Sequence, residues 1–156
     1  MTPIDLIRRL NQHRAWVNGN LLTVAETLTE QQLKSPFQIG QGSIWKSLVH
    51  LHAAEYVWLG ALQGNEEPLL PGDLPGRLPG NQEGEGGFTG LDDLKQKWAV
   101  LEAHWNTYLS SLEPVALDEI IFKRSTSSGL GIRFGSRRTD VLLHVCTHAH
   151  YTAAQV

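Results

Sequence analysis

Four stretches of the chain repeat apolar residues at the spacing of an α-helix, and each is bounded by residues that start or stop helices. The first opens at Thr2-Pro3-Ile4-Asp5, where a capping threonine precedes a proline and an acid. Its spacing predicts a helix to about Thr29, with a core stripe formed by Leu6, Leu10, His13, Val17, Leu21, Val24 and Leu28. At 156 residues the chain is long enough for one domain with a real core, which we place at residues 1–156.

The boundaries of three further helices are also visible in the sequence. Ser43 is a suitable cap for the second helix, and Gly64 is a suitable residue to end it. The third helix opens at a sequence resembling a capping box at residues 89–92 and is stopped by Pro114. The last begins near Arg138 and continues to the final residue of the sequence.

Two intervals lack helical spacing. Residues 64–90 are rich in glycine and proline, which predicts either a mobile tether or a lid. Residues 119–134 contain two β-like runs around a Ser/Gly turn, which predicts a hairpin. The expected fold is therefore all-α: a four-helix up-down bundle with a long crossover loop and a small β-hairpin before the last helix.

Composition excludes several classes of function. A net charge of −3 argues against nucleic acid as a partner, and we expect the local basic group to be a solvated surface; it comprises Lys123, Arg124, Arg133, Arg137 and Arg138. No run is apolar enough for a signal peptide or a membrane span, so no membrane association is expected. The single cysteine, Cys146, fits a reducing cytoplasm and is predicted to be a buried, inert thiol.

Histidines fall on two of the predicted helices. On a helical wheel, positions 148 and 152 form the inward pair of the last helix, while His144 is more peripheral and His150 lies on the opposite flank. His50 of the second helix shares a line with small residues that leave space beside it. Imidazole is the commonest metal ligand, so two such faces in one bundle leave two alternatives open, a metal site and structurally packed histidines. A purely structural role is expected for His13, His52 and His104, with His52 packed and hydrogen-bonded.

Three segments carry a resemblance to a known family: HRAWVNGNLL (13–22), SIWKSLVHLHAAE (43–55) and TDVLLHVCTHAHYTAAQV (139–156). In order and spacing they resemble the DinB/YfiT-like four-helix-bundle proteins. The resemblance implies a divalent metal, Zn or Ni, held by one histidine of the second helix and two at i and i+4 on the last. It also implies a small-molecule substrate and a low-molecular-weight thiol that the metal activates for S-transfer or isomerisation.

The family pattern maps onto His50, His148 and position 152, but residue 152 is threonine. His144 can substitute, which gives the ligand set His50, His148 and His144. Alternatively, water or Glu55 completes a two-histidine site. A third outcome is a degenerate site in a non-catalytic, stress-associated bundle. Metal-dependent hydrolysis of a small molecule is a further alternative, and a homodimer is the expected assembly. No catalytic residue is assigned beyond the ligands.

Overall fold

In the computed structural model, which describes residues 1–70, 87–125 and 131–156, four long helices close a ring around one core. The elements in chain order are α1 (Pro3–Ala25), α2 (Glu30–Lys34), α3 (Ile44–Leu62), α4 (Leu91–Ser110), a 3₁₀ helix (Pro114–Asp118), β1 (Ile120–Arg124), β2 (Arg133–Arg137) and α5 (Arg138–Ala153). Helices α1 and α3 each pack against both α4 and α5. The predicted all-α bundle with a hairpin before the last helix is confirmed.

Several helix boundaries follow from the capping residues that the sequence offers. The side chains of Thr2 and Ser43 accept hydrogen bonds from the first turns of α1 and α3, as predicted. Gly64, just beyond α3, has a φ of +90°, a conformation that glycine adopts without strain. The first helix was predicted too long: it ends at Ala25, because Thr29 is used to cap α2 through a capping box.

Two other boundaries also differ from prediction. Helix α4 begins after Gly90 without a side-chain cap, so the expected capping box at its start is wrong. Asp93 instead accepts a hydrogen bond from the backbone N–H of Thr89 at 3.0 Å. Helix α5 ends at Ala153 rather than continuing to the last residue.

The predicted core stripe of α1 was only partly right: Leu21 and Leu28 are partly buried and pack against the core, but the fully buried face of the helix is largely polar. The residues of α1 that are buried are Ile4, Ile7, Asn11, Arg14, Asn18 and Ala25. By contrast, the side chains of Leu6 and Val24, both assigned to the core, are 47% and 61% exposed. Arg14 and Asn18 are acceptable on the buried side because each donates a hydrogen bond to Glu55 of α3. Asn11 instead donates to the Ile7 carbonyl of its own helix.

The hairpin pairs β1 with β2 in an antiparallel register that places Phe122 opposite Gly135. A Cβ at Gly135 would lie 2.8 Å from the Ile120 side chain, so only glycine fits this close approach. The inward face of β1 buries Ile121 and Lys123, and the hairpin packs against α3 and α5. The hairpin predicted for residues 119–134 is present, shifted by a few residues toward the C-terminus.

The basic group was predicted to be a solvated surface, and for Lys123 this is wrong. Its side chain is 5% exposed, and its ammonium lies 5.2 Å from the centre of the Trp58 ring and 6.0 Å from that of Phe134. Arg138 is largely buried too, because its guanidinium donates to the carbonyls of Ala116 and Leu62, each at 3.0 Å.

The central part of the glycine- and proline-rich interval, residues 71–86, and the hairpin turn, residues 126–130, lie outside the described residues. The prediction of a lid or tether, and of a long crossover loop, falls on the first of these intervals. Within the described ranges, none of the helices combines the length and apolar character needed to cross a membrane.

Candidate metal centre

His50 and His148 meet across the interface between α3 and α5. The Nε2 atoms of the two imidazoles lie 3.2 Å apart, although 98 positions separate the residues in the chain. The ring centroids are 5.1 Å apart with an interplanar angle of 55°, so the rings turn their nitrogens toward each other instead of stacking. Both side chains are partly buried. The structure therefore brings together the two histidines that the sequence selected from different helices.

Burial keeps both imidazoles of this pair in their neutral form near pH 7. It lowers the pKa of His50, and together with the neighbouring His50 and His144 it lowers the pKa of His148 to about 4. A neutral imidazole has a free lone pair, and this is the form that binds metals. In charge state as well as in spacing, the two side chains are compatible with a divalent transition metal.

His144 lies on the outer side of the pair. Its ring centroid is 5.7 Å from that of His148 and 5.3 Å from that of Trp58, against which it packs edge to face. Burial and the positive charge of Lys123 lower its pKa. Its side chain is nevertheless exposed, as its peripheral wheel position predicted. Among residues 1–70, 87–125 and 131–156, no group of three or more His, Cys, Asp or Glu side chains has a metal-binding arrangement.

Thr152, one turn beyond His148 on α5, is 3% exposed. The wheel prediction that this position turns into the bundle is therefore confirmed. Its side chain brings a hydroxyl where the family pattern has an imidazole. A neutral hydroxyl is a much weaker ligand for Zn or Ni than imidazole, so the i, i+4 ligand pair is incomplete.

Glu55, considered above as a completing ligand, is occupied by other partners. One carboxylate oxygen accepts a hydrogen bond from the Asn18 amide at 2.7 Å. The other accepts from the guanidinium of Arg14 and, at 3.3 Å, from the indole N–H of Trp98. Arg14 also binds Glu102 through two parallel contacts of 2.6 and 2.9 Å. Burial raises the pKa of Glu55, and the charge of Arg14 opposes that rise. This network explains the polar face of α1.

His52 is packed as predicted, but the hydrogen bonding expected for it is not found. The side chain is 1% exposed and lies edge to face against Phe88 and Trp98, with centroids 5.1 and 5.6 Å away. Neither ring nitrogen has a hydrogen-bond partner in the part of the chain that the structure describes. Burial lowers the pKa of His52 to about 4. This histidine belongs to the core and is separate from the pair.

Cys146 faces the core of the bundle, as the sequence predicted. Its side chain is 3% exposed, and burial raises its pKa to about 11. A thiol is nucleophilic only as the thiolate, so this side chain is unsuited to catalysis at neutral pH.

A second histidine pair was missed by the sequence reasoning. His13 was assigned to the core of the first helix and His150 was set aside, yet His13 Nδ1 lies 2.8 Å from His150 Nε2 on the outside of the bundle. A helical wheel treats one helix at a time, so it cannot show that side chains from α1 and α5 meet. The contact of Lys123 with Trp58 and Phe134 beside His144 was missed for the same reason.

A comparison with protein families matches residues 3–156 to the DinB superfamily. The chain belongs to the DinB superfamily. This confirms the resemblance drawn from the three sequence segments and extends it over almost the whole chain. A comparison with curated proteins found no match. Family membership thus rests on a match over almost the whole chain, and the function has to be argued from the site.

Proposed function

We propose that this DinB-superfamily protein binds a divalent metal, Zn or Ni, through His50 and His148, with His144 as the third protein ligand. The observation that carries the proposal is the 3.2 Å separation of the two Nε2 atoms. Two partly buried, neutral imidazoles that face each other from different helices have no evident packing role that requires histidine. Family membership supports the choice of helices.

The spacing of the pair supports a shared ion. An imidazole nitrogen lies about 2.0–2.1 Å from a bound metal, which places two nitrogens about 3.3–3.4 Å apart in a tetrahedral shell and about 2.8–3.0 Å apart at a right angle. The observed 3.2 Å falls between these values. A change of a few tenths of an ångström in the separation of the two nitrogens would therefore suit either the tetrahedral preference of Zn or a higher coordination number.

We further propose that the protein is a thiol-dependent S-transferase acting on a small molecule. A bound metal would lower the pKa of the thiol, so that the thiolate forms at neutral pH. The chain itself provides an aromatic wall beside His144, formed by Trp58 and Phe134, whose rings are 6.2 Å apart. The ammonium of Lys123 lies against this wall, where it would stabilise negative charge on a thiolate or substrate.

Two other functions are alternatives to S-transfer. Thr152 favours a non-catalytic, stress-associated bundle that retains the fold without a working metal site, because the i, i+4 histidine pair of metal-binding relatives is incomplete here. Metal-dependent hydrolysis of a small molecule requires the same ligands but takes water as the nucleophile. Turnover that depends on an added thiol distinguishes S-transfer from hydrolysis.

The decisive experiment is metal analysis of full-length protein purified without a histidine tag. We expect about one equivalent of Zn or Ni, loss of that metal in His50→Ala and His148→Ala, and retention in His104→Ala, which removes an exposed histidine of α4. A metal content below one tenth of an equivalent after incubation with Zn²⁺ or Ni²⁺ would contradict the proposal. Metal content unchanged by His50→Ala would contradict it as well.

We also propose a cytoplasmic location and a homodimer. The single, buried cysteine supports a reducing compartment. Trp16 supports a homodimer, because its indole on α1 is 63% exposed and aromatic side chains are enriched at protein interfaces. Sedimentation of wild-type protein against Trp16→Glu tests the assembly: a monomeric variant is expected, and an unchanged sedimentation coefficient would contradict this interface.

A further inference from the structure

We infer that His13 and His150 form a second, solvent-open site for a divalent transition metal, best suited to Cu²⁺. The site lies on the outside of the bundle, where α1 packs against α5. It shares no residue with the pair formed by His50 and His148, so the inference stands or falls independently of the proposed function.

The geometry of the pair brings one nitrogen of each ring into direct contact. His13 Nδ1 and His150 Nε2 are 2.8 Å apart, whereas the ring centroids are 4.8 Å apart at an angle of 45°. The rings therefore approach through their nitrogens and do not stack. Without a metal, one neutral ring can donate its N–H to the bare nitrogen of the other. A metal would replace that shared proton, since both imidazole nitrogens act as ligands in proteins.

The separation indicates which metals fit. Nitrogens bound about 2.0–2.1 Å from one ion are about 2.8–3.0 Å apart when they subtend a right angle, and about 3.3–3.4 Å apart in a tetrahedral shell. The observed 2.8 Å matches the right angle. Right-angled nitrogen ligands belong to square-planar or tetragonal sites, which Cu²⁺ and Ni²⁺ prefer, and Cu²⁺ binds most strongly among the divalent ions of this series. Zn²⁺ would require the rings to separate by about 0.5 Å.

The surroundings leave room for the rest of the coordination shell. In a single chain the side chain of His13 is exposed and that of His150 is partly exposed, so water, or a second copy paired through Trp16, can complete the shell. The Trp16 ring lies 5.6 Å from that of His13 and is itself largely exposed. A paramagnetic ion held by His13 would therefore quench Trp16 fluorescence, which provides a local signal for this site. An ion bound here would also cross-link α1 to α5 and raise the Tm.

The test titrates Cu²⁺ into untagged His50→Ala/His148→Ala protein, in which the site proposed above has been removed. We expect one equivalent to bind, with nitrogen coupling in the electron paramagnetic resonance spectrum and a rise in Tm of about 5 °C or more at saturation. Adding His13→Ala should abolish all three signals, whereas adding His104→Ala should leave them unchanged. Adding Trp16→Phe should remove most of the fluorescence quenching but keep the bound equivalent.

Copper binding that survives His13→Ala would overturn the inference, as would failure of the parent double variant to bind Cu²⁺. If the double variant does not fold, wild-type protein is compared with His13→Ala alone. The expected result is then one Cu²⁺ equivalent fewer in the variant, and equal stoichiometry would refute the site. Loss of metal from His50→Ala, with copper binding at His13 intact, would show that the two sites are separate.

Discussion

The Nε2 atom of His50 on α3 lies 3.2 Å from the Nε2 atom of His148 on α5, while the residue one turn beyond His148 is the buried Thr152. Two imidazoles converge, and the side chain that would complete an i, i+4 pair is a hydroxyl. The first prediction concerns that position.

Thr152→His is expected to tighten Zn²⁺ binding at least about tenfold, because an added imidazole needs to contribute only about 1.4 kcal/mol to do so. The larger side chain should also lower the free energy of unfolding of metal-free protein by about 1–3 kcal/mol, since position 152 is buried. Competition against a chelator measures the affinity, after circular dichroism has established that the variant is folded. Ala103→His, on the exposed surface of α4, is the matched control. Equal affinity in wild-type and Thr152→His protein would contradict the assignment of this position.

Arg14→Met is expected to lower the free energy of unfolding by about 3–5 kcal/mol, because it leaves the buried Glu55 carboxylate without its cation. The guanidinium also holds Glu102 in a two-point contact, which Arg14→Lys cannot reproduce, so that variant should be destabilised too. Urea denaturation measures both. Arg9→Met, at an exposed position of the same helix, should change stability by no more than about 0.5 kcal/mol. A loss below about 1 kcal/mol in Arg14→Met would refute the role given to this network.

His52 is expected to make the protein less stable in mild acid. Burial lowers its pKa to about 4 in the folded state, whereas an unfolded histidine titrates near 6.5. Between these pH values the unfolded chain binds more protons, so the free energy of unfolding falls as the pH falls from about 6.5 toward 4, by about 3 kcal/mol in total. Above pH 7 His52 is neutral in both the folded and the unfolded state, so this loss of stability is absent.

Denaturation of wild-type and His52→Leu protein over pH 4–8, with chelator present throughout, isolates this contribution, because the other titrating groups are common to both. The stability difference between the two proteins should shift in favour of the variant as the pH is lowered. Parallel curves across the range would contradict the assignment.

Cys146 is expected to resist thiol reagents in the native protein. The side chain is 3% exposed and burial raises its pKa to about 11, so little thiolate forms at pH 8. Labelling with a chromogenic disulfide should be at least about a hundredfold slower in buffer than in denaturant. Cys146→Ala should retain any thiol-dependent activity, and an inactive but folded variant would instead implicate this thiol in the reaction.

Much of the architecture could be read from local signals. Thr2, Ser43 and Gly64 act within one or two turns of their own positions, so the helix ends that they define were predictable. The prediction failed where apolar spacing and a capping residue gave different answers. Apolar spacing predicted that the first helix extends to Thr29, but this threonine caps the short α2. The buried side of α1 was beyond reach, because Arg14 and Asn18 are acceptable in the core only with Glu55 of α3 beside them.

The sequence by itself determined the four long helices, the hairpin, the family and the inward direction of His148 and position 152, since these depend on periodicity, caps and motif order. Only the tertiary structure decided which side chains meet. It placed His50 against His148, joined the unexpected pair of His13 and His150, and withdrew Glu55 into an ion pair with Arg14. The physical reason is that a ligand set is a relation between helices, whereas helical periodicity describes one helix at a time.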